Sequence, residues 1–113
     1  MANMNYVVPA QVTSFNSASM TSSLQVVNSS GFPGPVVLLR ITNGTTLPVA
    51  ISFDGTHFHD YVLSGQSMEL NFQNNAQPNS YQFAMRQGGK VYVAGTAGTG
   101  YLYVAAYYAA TQN

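Results

Sequence analysis

The sequence contains no cysteine and no tryptophan. Without cysteine the chain can form neither a disulfide framework nor a thiolate metal site, so nothing in it requires an oxidising compartment. Residues 1–6 contain no lysine or arginine and no apolar core segment follows them, so we expect no signal peptide. No apolar run approaches the ~20 residues that a transmembrane helix needs, and we therefore predict no membrane partner.

Charged side chains are nearly as scarce as the two missing residue types. Asp, Glu, Lys and Arg make up 5% of the 113 residues, with three cations, three anions and a net charge of zero, whereas about 25% is usual in soluble domains. A lone monomer with so few charges lacks the repulsion that keeps proteins dispersed, so we expect other subunits to cover much of its surface. The same scarcity leaves no basic patch for a phosphate backbone, and we predict no nucleic-acid partner.

In place of charge, the sequence has short apolar segments separated by turn residues. The stretch Val36 to Gly65 is cut by Asn43-Gly44 and by Asp54-Gly55, dipeptides that favour tight turns. Between these turns, the apolar residues of 49–53 alternate with small or polar ones, which predicts a strand with one covered face. The almost wholly apolar run 36–41 predicts a strand that is buried on both sides or covered by a neighbouring subunit.

The rest of the body repeats this pattern to its end. Turn residues recur about every 8 to 12 positions, a spacing typical of sandwiches and small barrels, and no segment has helical periodicity. We therefore predict an all-β, antiparallel β-sandwich of jelly-roll-like form that spans 35–113. Further strands are predicted at 67–72, 81–86, 91–94 and 101–108, with a polar loop at 73–80 and a glycine-rich loop at 95–100.

Residues 1–34 differ from this body because they carry no charged side chain and end in a segment rich in glycine and proline. We interpret them as an extended N-terminal arm with a Gly/Pro linker, containing strands near 11–15 and 23–27. Some 30 extended residues reach up to ~100 Å, enough to add a strand to an adjacent subunit. The other interpretation is that these strands complete the sandwich of their own chain, or that the segment is a loose terminus.

Three segments of the body combine turns and strands in an unusual way. They are LRITNGT (Leu39 to Thr45), ISFDGTHFHDYVLSGQSMEL (Ile51 to Leu70) and KVYVAGTAGTGYLYVAAYY (Lys90 to Tyr108). Through these segments the body from about Val37 to Tyr108, about two thirds of the chain, resembles small structural proteins of tailed bacteriophage particles. Such proteins often carry lysine in the last hairpin, where this chain has Ala94 and Ala105, so their surface contacts are not transferred to it.

The resemblance implies a virion component without enzymatic activity. It implies a capsid cement or decoration subunit, or a neck or tail subunit, whose partners are major capsid or neck and tail proteins. The scarcity of charge independently favours self-association, as a symmetric homo-oligomer such as a trimer or a larger ring. We therefore expect a structural protein located in the virion. The alternative is a neck, tail or fibre-associated module that contacts a host-surface glycan.

One polar cluster has the residue types of a ligand site. His57 and His59 share a face if their segment is extended, and Asp54 or Asp60 could add a third ligand. Two imidazoles without a fixed third ligand are common on surface strands, so we predict no metal site and no cofactor. No serine has a G-x-S-x-G context, and the loop 95–100 lacks the lysine of a phosphate loop, so we predict no catalytic residue.

The apolar residues of the arm and the tyrosines of the last strand are candidates for subunit contacts. An uncharged strand can pair with a neighbour through its backbone, and tyrosine is enriched at protein interfaces. The alternative for the tyrosines is a platform that stacks on sugar rings. The candidate contact residues are Val7, Val12, Phe15, Leu24, Val26, Tyr101, Tyr103 and Tyr107.

Overall fold

The computed structural model describes residues 4–72 and 85–112. Within these ranges the chain forms nine β-strands and one short 3₁₀ turn, Ser17–Ser19. The strands are β1 (Met4–Pro9), β2 (Thr13–Asn16), β3 (Gln25–Val26), β4 (Val36–Thr45), β5 (Val49–Ser52), β6 (Asp60–Val62), β7 (Ser67–Asn71), β8 (Tyr92–Gly95) and β9 (Gly100–Gln112).

The strands form two antiparallel sheets, which confirms the predicted all-β class. Sheet A has the order β1-β9-β4-β7, and β2 pairs with β9 farther along the same edge. Sheet B has the order β3-β8-β5-β6. The inward side chains of both sheets form one hydrophobic cluster, which includes Leu39, Ile41, Leu102 and Val104 of sheet A and Val49, Ile51, Val62 and Val93 of sheet B.

Strand β4 lies in the middle of sheet A, and its side chains alternate between the core and the surface. Leu39 is buried, Leu38 is half-buried and Arg40 is exposed. Burial on both sides, one of the two interpretations of this run, is confined to Val36 and Val37, where a bulge shifts the register with β9. The period of two therefore holds along the rest of β4, as it does in a strand with one covered face.

Strand β5 departs from its prediction, because all four of its residues are buried. Val49 and Ile51 face the core as expected. Ala50 and Ser52 point away from the core, yet both are buried, because the loop after β5 contacts the Ser52 hydroxyl and Ala50 lies on the floor of a cleft bordered by Phe58 and Tyr61. The prediction of one covered face was wrong because a local loop, which alternation cannot reveal, folds back over the outer side.

The Asn43-Gly44 dipeptide is not a turn, although its sequence favours one. It lies inside β4, where Asn43 is fully buried. The Asn43 amide nitrogen donates to the carbonyl oxygens of Leu47 (2.9 Å) and Val62 (2.8 Å), and its carbonyl oxygen accepts from the N–H of Thr45 (2.9 Å). Because Val62 belongs to sheet B, this side chain joins the two sheets, and tertiary hydrogen bonds have overridden the local turn preference.

The other predicted elements lie close to their expected positions. The Asp54-Gly55 turn is present, with Gly55 at φ 79°, and the glycine-rich loop lies between β8 and β9. Strand β7 covers most of the predicted strand 67–72. The predicted loop 73–80 and most of the predicted strand 81–86 lie outside the described residues, and Met85 forms an isolated bridge with Val36.

The described N-terminal strands pair with strands of the same chain. Strands β1 and β2 lie one after the other along β9, and β3 pairs with β8. The predicted strands near 11–15 and 23–27 correspond to β2 and β3, whereas β1 was not anticipated. Strand β9 has β1 and β2 on one side and β4 on the other. Among the described residues, its last hydrogen bond on the β4 side is at Ala109, whose N–H donates to the carbonyl of Pro35 (2.9 Å). We call β1 together with residues 107–112 of β9 the terminal ribbon.

Candidate functional site

The outer surface of sheet A is aromatic and almost uncharged. Tyr101 and Tyr103 are each 45% exposed, and their ring centroids lie 6.4 Å apart with the planes inclined by 31°. Tyr107 lies on the same side of β9 and is half-buried. We call the outward surface formed by these three tyrosines the tyrosine face.

Neighbouring strands supply the floor of the tyrosine face. In the antiparallel register, Tyr101 lies opposite Gly44, and Tyr103 lies opposite Thr42. A Cβ atom at Gly44 would lie 2.8 Å from the Tyr101 carbonyl oxygen and 3.6 Å from a ring carbon of Tyr103. Gly44 therefore allows close approach of the Tyr101 backbone and contact with the Tyr103 ring, a role that the turn interpretation of this glycine missed.

One ion pair accounts for the charged residues in the strands of sheet A. The Arg40 Nε atom lies 3.7 Å from a Glu69 carboxylate oxygen, and both side chains are about half exposed. The two residues are directly opposite each other on β4 and β7. An exposed pair of this kind contributes only about 0–1 kcal/mol, but it leaves the sheet without net charge.

The structure divides the eight candidate contact residues among four places. The three tyrosines share the tyrosine face, and Val7 points to the same side of the terminal ribbon, opposite Ala109. Val12 is exposed in the turn between β1 and β2. The remaining three candidates are half-buried. Phe15 packs against the core, Val26 lies in β3 of sheet B, and Leu24 directly precedes β3.

A second aromatic surface lies on sheet B and was not anticipated from the sequence. Phe58 and Tyr61 are 51% and 61% exposed, and their rings meet edge to face with centroids 6.2 Å apart. They border an open cleft of about 270 Å³ whose floor includes Ala50 and Ala94. The signal in the sequence is the pair of aromatic residues on either side of the His59-Asp60 dipeptide.

The loop that carries the two histidines is closed by its own hydrogen bonds. One carboxylate oxygen of Asp54 accepts from the N–H groups of Thr56 (2.8 Å) and His57 (2.9 Å), and from the Ser52 hydroxyl (3.0 Å). The other lies 2.8 Å from His57 Nδ1. These contacts, led by the His57 backbone N–H and the His57 side chain, hold the pKa of Asp54 well below its usual range.

The hydrogen bonds of this loop leave little capacity for a metal ion. His59 Nδ1 accepts from the Phe53 N–H (3.0 Å), so in a neutral ring the proton sits on Nε2 and no lone pair is free there. His57 Nδ1 contacts the Asp54 carboxylate, which leaves only its Nε2 atom. Across residues 4–72 and 85–112, no three His, Cys, Asp or Glu side chains are grouped as a metal site.

The same loop contains a serine, an aspartate and a histidine, but not in a catalytic order. The Ser52 hydroxyl donates to Asp54 and accepts from the N–H of Gly55 (3.0 Å). It is fully buried, and none of these partners is an imidazole. In a hydrolytic triad the base must contact the nucleophile, so this arrangement stabilises a turn and does not activate Ser52.

We compared the chain with known protein families, curated proteins and solved structures. No protein-family model, no curated protein and no solved structure matches the chain. In the part of the chain that the structure describes, no helix has the length and apolar character to cross a membrane.

Proposed function

We propose that this chain is a non-enzymatic structural subunit of a bacteriophage virion, most simply a capsid cement or decoration protein. It is a β-sandwich of jelly-roll-like form whose residues 1–34 serve as an arm, with β1 and β2 at an edge of sheet A and β3 at an edge of sheet B. It acts by contacts with copies of itself and with a capsid, neck or tail protein. The observation that carries the proposal is the tyrosine face, which is broad, aromatic and free of net charge.

The physical argument concerns what such a face can bind. Exposed tyrosines combine a large apolar ring with a hydroxyl, and they are enriched in protein interfaces. Binding of this face requires the removal of few ions from water, because Arg40 and Glu69 are the charged residues of sheet A and already pair with each other. A protein partner with a similarly uncharged surface is therefore favoured over an ionic ligand.

The assignment to a phage particle comes from the sequence resemblance. Its three segments cover most of β4, the region from the end of β5 to Leu70 in β7, and β8 with the first part of β9. Cement proteins act through many weak contacts that are repeated by the symmetry of a shell, and a neutral, interface-rich subunit suits that role.

The proposal is tested on particles of the phage whose genome encodes the chain. Particles are purified on a density gradient, and their proteins are quantified by mass spectrometry. We expect the chain in the particle band at many copies, and we expect reduced occupancy when Tyr103→Ser replaces the wild type. Absence of the chain from washed particles would overturn the proposal.

A second candidate function is the recognition of a host-surface glycan by the tyrosine face. It is favoured by the neighbouring, exposed rings of Tyr101 and Tyr103, which could stack on successive sugars. A glycan array separates the two functions, because only this second function predicts a carbohydrate signal that Tyr103→Ala abolishes. Tyr61→Ala is the matched control, since it removes an exposed tyrosine from sheet B.

A further inference from the structure

The free edges of the two sheets differ in length and charge. Among the described residues, sheet B ends in strands of two and three residues, β3 and β6, and β6 begins with the charged Asp60. Sheet A ends on one side in β7, which carries Glu69. Its other edge includes β1, which has six residues and no charge. Edge strands normally avoid pairing by being short, by being charged or by carrying proline, and β1 has only a proline at its last position, Pro9.

The register shows which backbone groups of β1 face away from β9. The Ala10 N–H donates to the Ala106 carbonyl (2.8 Å), and β1 continues from there with Pro9 opposite Tyr107 and Val8 opposite Tyr108. In an antiparallel ladder, successive residues point their N–H and C=O groups alternately toward and away from the partner. Val8 therefore bonds to β9, whereas the backbone groups of Asn5 and Val7 face away from it.

We infer that β1 pairs antiparallel with β1 of a second copy of this chain, about a two-fold axis at Tyr6. Asn5 of each copy lies opposite Val7 of the other, and each of these two pairs exchanges two hydrogen bonds, giving four in all. The two Tyr6 residues face each other at the axis as a non-hydrogen-bonded pair. The inference deepens the proposed function, on which it rests, by naming the partner and the contact strand.

Self-pairing follows from three properties of the terminal ribbon. A two-fold axis places each residue near the same residue, or a close sequence neighbour, of the other copy. A charged side chain would therefore face a like charge, and the terminal ribbon contains no charged side chain. Beyond Ala109 the ribbon has two strands, an arrangement that is only marginally stable in water without a further strand. Tyr6 and Val7 are also 45% exposed, which leaves apolar surface to be covered.

Proline fixes the register of the pair. Pro9, like Asn5 and Val7, is a residue of β1 whose backbone faces away from β9, but proline has no N–H to donate. A shift that placed Pro9 opposite Asn5 of the other copy would leave the Asn5 carbonyl without a donor. The register centred on Tyr6 avoids this loss, because both outward pairs then consist of residues with a donor and an acceptor.

The absence of cysteine makes cross-linking a direct test in the full-length chain. Opposed residues of a non-hydrogen-bonded pair have Cα atoms about 4.5 Å apart, within the range of a disulfide. Under mild oxidation we expect Tyr6→Cys to form a disulfide-linked dimer at least about tenfold faster than Leu63→Cys, an exposed control on the other side of the fold. Equal rates, or faster cross-linking of Val7→Cys, would overturn the proposed register.

A second pair of variants tests the backbone hydrogen bonds. Val7→Pro removes the outward N–H from both copies but leaves the bonds between β1 and β9, whereas Val7→Thr keeps the N–H. Because two hydrogen bonds are lost, the dimer dissociation constant should rise at least about tenfold for Val7→Pro and change little for Val7→Thr. Sedimentation measures this constant, and melting curves check that each variant folds.

The outcomes separate this inference from the function on which it rests. If Val7→Pro associates as the wild type does while Tyr103→Ser does not, the strand pairing is wrong and the proposed function stands. If the wild type is monomeric and absent from particles, both are overturned.

Discussion

The outer surfaces of the two sheets differ in how far the chain itself covers them. On sheet B, the segment after β5 folds back, so that the outward residues Ala50 and Ser52 are buried and the Asp54 carboxylate organises the covering loop. On sheet A, the outward tyrosines Tyr101 and Tyr103 remain nearly half exposed. The comparison shows that part of the outer side of sheet B is covered by a loop of its own chain, with Phe58 and Tyr61 exposed beside it, whereas no such loop among the described residues covers the tyrosines of sheet A. Each prediction below tests one part of this contrast, beginning with the largest effect on stability.

The largest effect is expected at Asn43, where the two sheets are joined. Asn43→Ala removes the donors to Leu47 and Val62 and the acceptor for Thr45 inside the core. Because each buried polar group left without a partner costs about 1–3 kcal/mol, we expect a loss of about 3–5 kcal/mol in the free energy of unfolding. Urea unfolding measures it.

Asn16→Ala is the control for the Asn43 variant. Asn16 is exposed, and its side chain accepts one hydrogen bond from the N–H of Ala18 (3.0 Å). We expect a loss of no more than about 1 kcal/mol. Similar losses at the two positions would contradict the role of Asn43 as the link between the sheets.

The next effect concerns the loop that covers sheet B. Gly55 has φ 79°, and a Cβ atom there would lie 3.0–3.3 Å from three ring atoms of Tyr92. Gly65 has nearly the same φ, 76°, but open space around it. Gly65→Ala therefore measures the backbone strain alone, about 1–2 kcal/mol, and Gly55→Ala should cost about 1 kcal/mol more. Equal losses in thermal unfolding would show that the loop does not pack on Tyr92.

The Asp54 carboxylate makes this loop sensitive to acid. Its pKa is lowered on folding, so the ionised form stabilises the fold above the ordinary carboxyl pKa of about 4, and this contribution is lost as the pH falls below that value. Asp54→Asn should therefore be less stable than the wild type near neutral pH, with a difference that narrows in acid. Urea midpoints measured across this pH range test it.

A charge control is needed for the Asp54 variant. Asp60→Asn removes the same charge near the same sheet, but the Asp60 carboxylate accepts a single hydrogen bond, from the adjacent N–H of Tyr61. Subtracting the stability change of Asp60→Asn from that of Asp54→Asn removes the effect of losing one negative charge near sheet B. A constant difference between Asp54→Asn and the wild type at all pH values would contradict the loop mechanism.

The smallest effect on stability is expected on the tyrosine face. Tyr103→Ser removes a ring that is nearly half exposed, so the free energy of unfolding should fall by less than about 1 kcal/mol. Self-association should weaken, because the ring would otherwise contribute to a subunit contact. Tyr61→Ser removes a comparably exposed ring from sheet B and should leave association unchanged. Sedimentation velocity of the three proteins distinguishes these outcomes.

The sequence predicted the fold class because turn residues and alternation are local signals. Strands β7 and β9, the Asp54-Gly55 turn and the glycine-rich loop all lie near their predicted positions. Asn43-Gly44 was misread because the bonds that hold Asn43 come from residues 2, 4 and 19 positions away, including Val62 on the other sheet. No dipeptide preference contains that information.

The candidate site could be predicted only in part for the same reason. The tyrosines of β9 alternate, so their common face followed from the period of a strand. Phe58 and Tyr61 meet in the segment where the loop after β5 returns the chain to pair with β5 as β6, which the spacing of the two residues does not show. The strand β1 was missed because its short apolar segment gains stability from pairing with β9, a contact about 100 residues away in the chain.

The most direct test of the contrast between the sheets is the mass of the purified chain by sedimentation equilibrium at micromolar concentrations, in low and high salt. We predict a mass that rises with concentration to a multiple of one chain and changes little with salt, because the associating surface has almost no charge. A mass that stays at that of one chain throughout would contradict the account.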